Sequence, residues 1–243
     1  MRAGLRLLDD IERFFALRQH QGDDRFRQRL LRLQAFQTQR LTDTHASLLA
    51  TPHSAPAVQF LLDEVYGDND LRPVAHDIRR ATRKAMKLLP ETVMATSAVV
   101  LETTLLTQEL DEAMTDLLGD VLDTPLDAPT YGEAYRALNR TDERERQLAL
   151  IAELGHGIDR YVKSRMIQTT FRMVRKPAHA AGFSNLYDFL ERGFGALRPV
   201  PSIAGLLGDV AHTERVIMQR LLDQHPQPFQ LDGQTHSTGH NDD

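Results

Sequence analysis

The sequence contains no cysteine. This absence excludes disulfides, thiolate nucleophiles, cysteine-based zinc sites and iron–sulfur clusters. A disulfide-stapled extracellular scaffold is excluded with them. We therefore expect a protein of the reducing cytoplasm.

Long apolar runs and catalytic signatures are missing as well. No stretch approaches the roughly 20 apolar residues that span a bilayer, and residues 1–15 have the spacing of an amphipathic helix instead of a signal peptide. Phosphate-binding glycine loops, dinucleotide fingerprints and the zinc-protease, hydrolase and kinase motifs are not found. These absences favour a non-enzymatic protein.

Helical periodicity recurs along the whole chain, whereas sustained alternation of β-branched residues is lacking. The sequence therefore predicts an all-α fold, a multi-helix bundle of about nine helices, as a single domain over residues 1–222. Residues 119–129, with two prolines and several aspartates, are predicted to form a loop and a possible seam between two sub-bundles. Residues 223–243 are polar and are predicted to be a disordered tail.

The net charge of −5 is unevenly distributed. Residues 88–135 contain ten acidic residues and no Lys or Arg, and they include a long apolar helix that we place at the centre of the bundle. Basic clusters occupy residues 25–40, 79–87 and 160–176. This asymmetry motivates our leading hypothesis, association with another protein or with a second copy. For the basic faces themselves, the preferred interpretation is that they pack beside the acidic helix or face water. A pI near 6.1 argues against a nucleic-acid partner.

The stretch "QFLLDEVYGDNDLRP", residues 59–73, resembles the motif that names a bacterial family, the FFLEELY-motif proteins. Val65 stands where that motif usually has Leu. The segments "RLTDTHASLLATP", "YGEAYRALNRTDERERQLALIAELGHGIDRYV" and "YDFLERGF" are similar to the same family. The resemblance implies no activity, cofactor or catalytic residue.

We interpret this motif as a corner that ends one helix and begins the next. We expect Gly67 to adopt the left-handed conformation that ends a helix and the ring of Tyr66 to pack against neighbouring side chains. We expect Asp68 or Asp70 to form an Asx-turn. A calcium loop is not expected, because Leu-Arg-Pro follows Asp70. A surface that binds a ligand or a partner is the alternative. The corner residues are Phe60, Asp63, Glu64, Tyr66, Gly67, Asp68, Asp70 and Arg72.

A second hypothesis is a bundle that holds a metal, haem or apolar ligand in its core, as a sensor or oxidase. Glu153 and His156 share one helix face and make half of a di-iron motif, and Glu102 and Glu109 could contribute from the acidic helix. His45 is a lone helical histidine that either ligates haem or makes an ordinary hydrogen bond. The sequence does not identify the cofactor.

A third hypothesis concerns residues 160–176, which carry six cations and no acid around apolar positions. Basic amphipathic helices bind anionic lipid or phosphate. The candidate anion-binding residues are Arg165, Arg172, Arg175 and Lys176. In the alternative, the apolar stripe belongs to the bundle core and the cations face the acidic helix.

Overall fold

A computed structural model describes residues 2–66, 70–85 and 91–231. All regular secondary structure in these ranges is helical, so the all-α prediction is confirmed. There are eleven α-helices in the described ranges, ten of them with seven residues or more, close to the nine expected. They are α1 (Arg2–Ala16), α2 (Asp24–Thr44), α3 (Ala46–Leu49), α4 (Ala55–Leu61), α5 (Arg72–Ala85), α6 (Glu91–Leu118), α7 (Ala128–Leu138), α8 (Thr141–Val162), α9 (Arg165–Ala180), α10 (Ser184–Leu197) and α11 (Ile203–Leu222).

Short polar side chains begin several of these helices. Asp23 accepts a hydrogen bond from the backbone N–H of Phe26 at the start of α2, and Asp127 does the same for Thr130 at the start of α7. Ser202 caps α11. Each cap satisfies a backbone donor that has no partner inside its helix.

The acidic helix α6 contacts α1, α2, α7 and α8, so it lies inside the bundle. The helices α8 and α11 make the most extensive pair. Their backbones come close at Gly155, where an added Cβ would lie 2.8 Å from the Cα of Ala204. A larger residue at that position would push α8 and α11 apart.

Two clusters of buried apolar side chains fill most of the bundle. One joins α2, α6, α7, α8 and α11 around Met114, Leu122 and Tyr131. The other joins the end of α2, α4, α8, α10 and α11 around Val58 and Ile203. None of the helices in the described ranges has the length and apolar character to cross a membrane.

Two acidic side chains of α6, Glu102 and Glu109, are paired with arginines of the same chain. Arg13 of α1 donates to Glu109 at 2.8 Å. Glu102 accepts hydrogen bonds from Arg6 of α1 at 2.9 Å and from Arg146 of α8 at 2.7 Å. Such exposed pairs add little to stability, but they neutralise much of the acidic surface within one molecule.

The predicted seam and tail are partly ordered against this bundle. Residues 119–123 form a short 3-10 helix that leads towards α7. In the predicted tail, the ring of Phe229 lies 6.0 Å from that of Tyr131 and 6.3 Å from that of Phe36. Residues 232–243 of the predicted tail lie outside the described residues.

Candidate functional site

A stripe of buried polar side chains runs along α6 at every fourth residue: Thr103, Thr107, Asp111 and Thr115. The threonine hydroxyls donate to carbonyls one turn earlier, as Thr107 does to Thr103 at 2.8 Å and Thr115 does to Asp111 at 2.8 Å. An ionised carboxylate has no proton to donate and cannot be satisfied in this way. Asp111 must therefore find its partners on other helices.

Those partners are two glutamine side chains of α2. The amide of Gln34 donates to the Asp111 carboxylate at 3.4 Å, and Gln37 also forms a hydrogen bond with it. Burial is the dominant influence on this carboxyl and raises its pKa to about 6. The glutamines and the more distant Arg144 only partly oppose that increase. Asp111 therefore changes protonation state close to neutral pH.

Asp111 lies on the wall of a cavity of about 100 Å³ between α2, α4, α6, α7, α8 and α11. Apolar side chains such as Leu110 and Ile151 form part of its wall. The polar residues of the wall that bear on its chemistry are Gln37, Arg40, His45, Asp111, Tyr135, Arg144 and Glu214.

The cation Arg40 is compensated by Glu214 of α11. The Arg40 guanidinium donates to one oxygen of Glu214, and the Nε2 atom of His45 lies 3.0 Å from the other oxygen. The side chains of Arg40 and Glu214 are each only 13% exposed. Burial acts to raise the pKa of Glu214, but Arg40 and His45 outweigh burial and lower it. Glu214 is therefore an ionised partner for Arg40, and His45 is hydrogen-bonded to a carboxylate.

The second cation of the cavity, Arg144, has no such partner. Arg144 is 8% exposed and lies in the first turns of α8. Within the described part of the chain, no carboxylate oxygen lies within 4.0 Å of its guanidinium, and its Nε atom has no hydrogen-bond partner. Its guanidinium lies 3.8 Å from the centre of the Tyr135 ring. That ring attracts the cation without neutralising it.

The location of Arg144 in its helix adds to the excess of positive charge around its guanidinium. The N-terminal turn of a helix carries partial positive charge from its free backbone N–H groups, so it does not favour a cation. Burying a charge without an ion pair is costly, and proteins normally pair such a group or neutralise it. Arg144 therefore makes the cavity a candidate site for an anion.

The described residues of the predicted motif corner lie elsewhere and connect helices. The ring of Phe60 packs against Phe189 and comes close to Gly193 of α10. Glu64 accepts two hydrogen bonds from Arg192, at 2.8 and 3.2 Å. These contacts attach the end of α4 to α10.

The other carboxylates of this corner bind separate donors. Residues Leu62–Tyr66 form a π-helical turn after α4. Asp63 accepts from Gln59 at 2.7 Å, and Asp70 accepts from both the backbone N–H and the side chain of Arg72 at 3.0 and 2.8 Å. The side chain of Tyr66 and the residues Gly67 and Asp68 lie outside the described part. The role of this motif as a structural corner stays a prediction.

The four residues considered as metal ligands are not assembled into one site. Glu153 and His156 are exposed on α8. Glu102 and Glu109 are bound by arginines of α1 and α8, as described above. Over the ranges that the structure describes, no group of three His, Asp or Glu side chains could hold a metal ion. Metal binding by these four residues stays a prediction.

The four candidate anion-binding residues of α9 are all exposed. Arg175 lies 3.7 Å from Glu191 of α10. Arg172 donates weakly to the carbonyl of Gln168 in its own helix, at 3.4 Å. Within the described residues, no ion pair joins these cations to α6, where Glu102 and Glu109 are bound by arginines of α1 and α8.

Of the polar cavity residues, sequence reasoning considered only His45 as a ligand and missed Asp111 and Arg144, although two signals were present. Thr103, Thr107 and Asp111 recur every fourth residue, on the same helix face as the apolar residues Leu110 and Met114. Arg144 stands four residues before Leu148, on the face of α8 that is buried. Polar residues in phase with an apolar stripe predict a buried polar site.

Fold and site together define a helical-bundle domain with a polar cavity between its helices. The chain belongs to a family described as a domain of unknown function, DUF8198, whose model matches residues 16–228. That range contains α2 to α11 and all the cavity residues named above. No curated protein and no solved structure matches the chain.

Proposed function

We propose that this domain is a binding protein that holds a small carboxylate-bearing molecule in the cavity, with Arg144 as the residue that pairs with the carboxylate. The observation that carries the proposal is the burial of Arg144 without an ion pair. A planar guanidinium matches a carboxylate through two parallel hydrogen bonds. A bound carboxylate would therefore supply the charge that Arg144 lacks.

The size of the cavity limits the ligand. A protein cavity of about 150 Å³ accommodates benzene, which has six non-hydrogen atoms. The cavity here measures about 100 Å³, so it suits about four such atoms, as in acetate or a three-carbon acid. The aromatic face of Tyr135 and the side chains of Leu110 and Ile151 provide apolar surface for the carbon atoms.

Asp111 gives the proposed site a dependence on pH. Its pKa of about 6 allows it to be neutral in weakly acidic solution. A neutral carboxyl group can donate a hydrogen bond, whereas an ionised one repels an anion. Binding of a carboxylate should thus be accompanied by proton uptake and should strengthen as the pH falls through 6.

The decisive test compares two arginines of α8. Calorimetric titration with acetate, propionate and inorganic phosphate is performed on the wild type, Arg144→Gln and Arg146→Gln. Arg146 is 49% exposed and pairs with Glu102, so it controls for the loss of one charge from the same helix. We expect saturable binding of a carboxylate to the wild type and to Arg146→Gln, and at least about a tenfold loss in Arg144→Gln.

The same variants separate a binding role from a structural one. If Arg144 is reserved for a ligand, Arg144→Gln should melt at the same or a higher temperature without ligand, since an unpaired buried charge is removed. A large fall in the melting temperature together with unchanged carboxylate binding would refute the proposal. So would failure of the wild type to bind any of the three anions.

Association with another protein or with a second copy stays a prediction. It was motivated by the acidic stretch, but Glu102 and Glu109 of that stretch pair with arginines of the same chain, which weakens the electrostatic reason for it. Native mass spectrometry would count the chains and weigh any small molecule lost on denaturation. The cytoplasmic location and the likeness to FFLEELY-motif proteins also stay predictions.

A further inference from the structure

The helix α9 is attached to the bundle along one side. None of its residues is fully buried. Phe171 stacks on Tyr187 of α10 with 4.4 Å between ring centres and meets Phe194 edge-on at 5.0 Å. Ile167 is half-buried. The opposite side of α9 therefore faces solvent along its length.

That solvent side carries two large apolar side chains. Met166 is 76% exposed and Met173 is 75% exposed. Seven residues separate them, so they lie within about 20° of each other around the helix. They form a line parallel to the helix axis.

Three cations form a second line beside the methionines. Arg165, Arg172 and Lys176 fall within about 40° of one another around the helix. All three are exposed, and no carboxylate within ion-pair distance of any of them occurs in the described part of the chain. The helix itself contains no acidic residue. We call these five residues the α9 face: Arg165, Met166, Arg172, Met173 and Lys176.

We propose that the α9 face docks on an anionic lipid bilayer. An apolar line beside a basic line suits a helix that lies in the plane of a membrane, because the apolar side chains enter the acyl boundary while the cations reach the lipid phosphates. Methionine adapts its shape readily to such an irregular environment. The excess of positive charge on this face complements a negative lipid surface.

This surface is separate from the cavity, because no residue of α9 lines the cavity. The inference therefore does not depend on carboxylate binding. Either proposal can fail while the other holds.

The test is flotation of the full chain with lipid vesicles. Vesicles of phosphatidylcholine alone are compared with vesicles of equal parts phosphatidylcholine and phosphatidylserine, in low and high salt. We expect the protein to float only with the anionic vesicles and to be released by salt, since salt screens exposed charges. Free phosphate at matched ionic strength should not displace it.

Two pairs of substitutions remove equal charge from different places. Arg172→Gln with Lys176→Gln neutralises the α9 face and should weaken vesicle binding about 25-fold, or about fivefold per cation. Arg27→Gln with Arg198→Gln neutralises two exposed arginines outside α9 and should leave binding unchanged. Because all four side chains are exposed, circular dichroism should show the same fold for each variant.

A third variant tests the apolar line. Met166→Ser with Met173→Ser keeps every charge and should weaken binding to the anionic vesicles. Full binding by this variant would overturn the proposed docking geometry. The proposal would also be overturned if the wild type did not float, if free phosphate displaced it, or if the control pair lost as much binding as the α9 pair.

Discussion

Removal of the charge on Asp111 should stabilise the protein at neutral pH. Asp111 is buried, and burial raises its pKa from an ordinary 3.8 to about 6. The folded protein therefore keeps the proton to a higher pH than the unfolded chain does. Stability must then decrease as the pH rises from about 4 to about 6, and the penalty persists above that range.

The size of the effect follows from the difference between the two pKa values. That difference is about two pH units, and each unit corresponds to about 1.4 kcal/mol. Asp111→Asn should therefore increase the free energy of unfolding at pH 7 by about 3 kcal/mol. For a chain of this length the gain is roughly 8 °C in Tm. At pH 4 the two proteins should differ little, because the wild-type carboxyl is then protonated.

Thermal melts across pH 4–8 check this reasoning. Asp209→Asn is the matched control, since Asp209 is an exposed carboxylate of α11 and its replacement removes the same charge from the surface. We expect the Tm difference between Asp111→Asn and wild type to open between pH 4 and 6, and the control to follow the wild type throughout. Equal Tm values at pH 7, or a less stable Asp111→Asn, would show that Asp111 is not a penalised buried charge.

Two further pairs of substitutions test the buried ion pair of the cavity and the contact between α8 and α11. Glu214→Gln should lower the free energy of unfolding by about 3 kcal/mol, because it removes one partner of the buried ion pair with Arg40. Glu145→Gln breaks an exposed ion pair and should cost less than about 1 kcal/mol. The stability lost in Glu214→Gln should shrink as the pH falls below the ordinary glutamate pKa. Denaturant melts in which Glu214→Gln and Glu145→Gln lose the same stability would contradict the assignment of Glu214 as the buried partner of Arg40. Gly155→Ala should lower stability by about 1–3 kcal/mol by overpacking α8 against α11. Gly208→Ala, in open space, should be neutral or stabilising in the same melts.

The all-α fold class could be predicted from local sequence patterns, whereas the cavity could not. Helical periodicity is visible within a few turns of chain, although the boundaries follow less simply, since α9 continues through Pro177 to Ala180. The cavity is assembled from residues as distant in sequence as Arg40 and Glu214, which are 174 positions apart. Their pairing depends on how α2 and α11 pack, and no local pattern encodes that packing.

The metal hypothesis also rests on a local pattern that says nothing about the partners of residues on other helices. The spacing of Glu153 and His156 is a local pattern, and it places both on one helix face. The groups that bind the facing carboxylates are Arg6 and Arg13 of α1, which lie 96 positions before Glu102 and Glu109, and Arg146 of α8. A carboxylate that looks available in the sequence is thus already paired in the fold.

The return of the chain after α11 has a practical consequence. Phe229 rests on Tyr131, and the Arg40 guanidinium lies 5.6 Å from its ring. A shortened version cut at Leu222, where the last helix ends, would lose this aromatic group and uncover the Tyr131 ring close to the cavity. Expression boundaries chosen from helix ends alone would therefore alter the surroundings of the cavity.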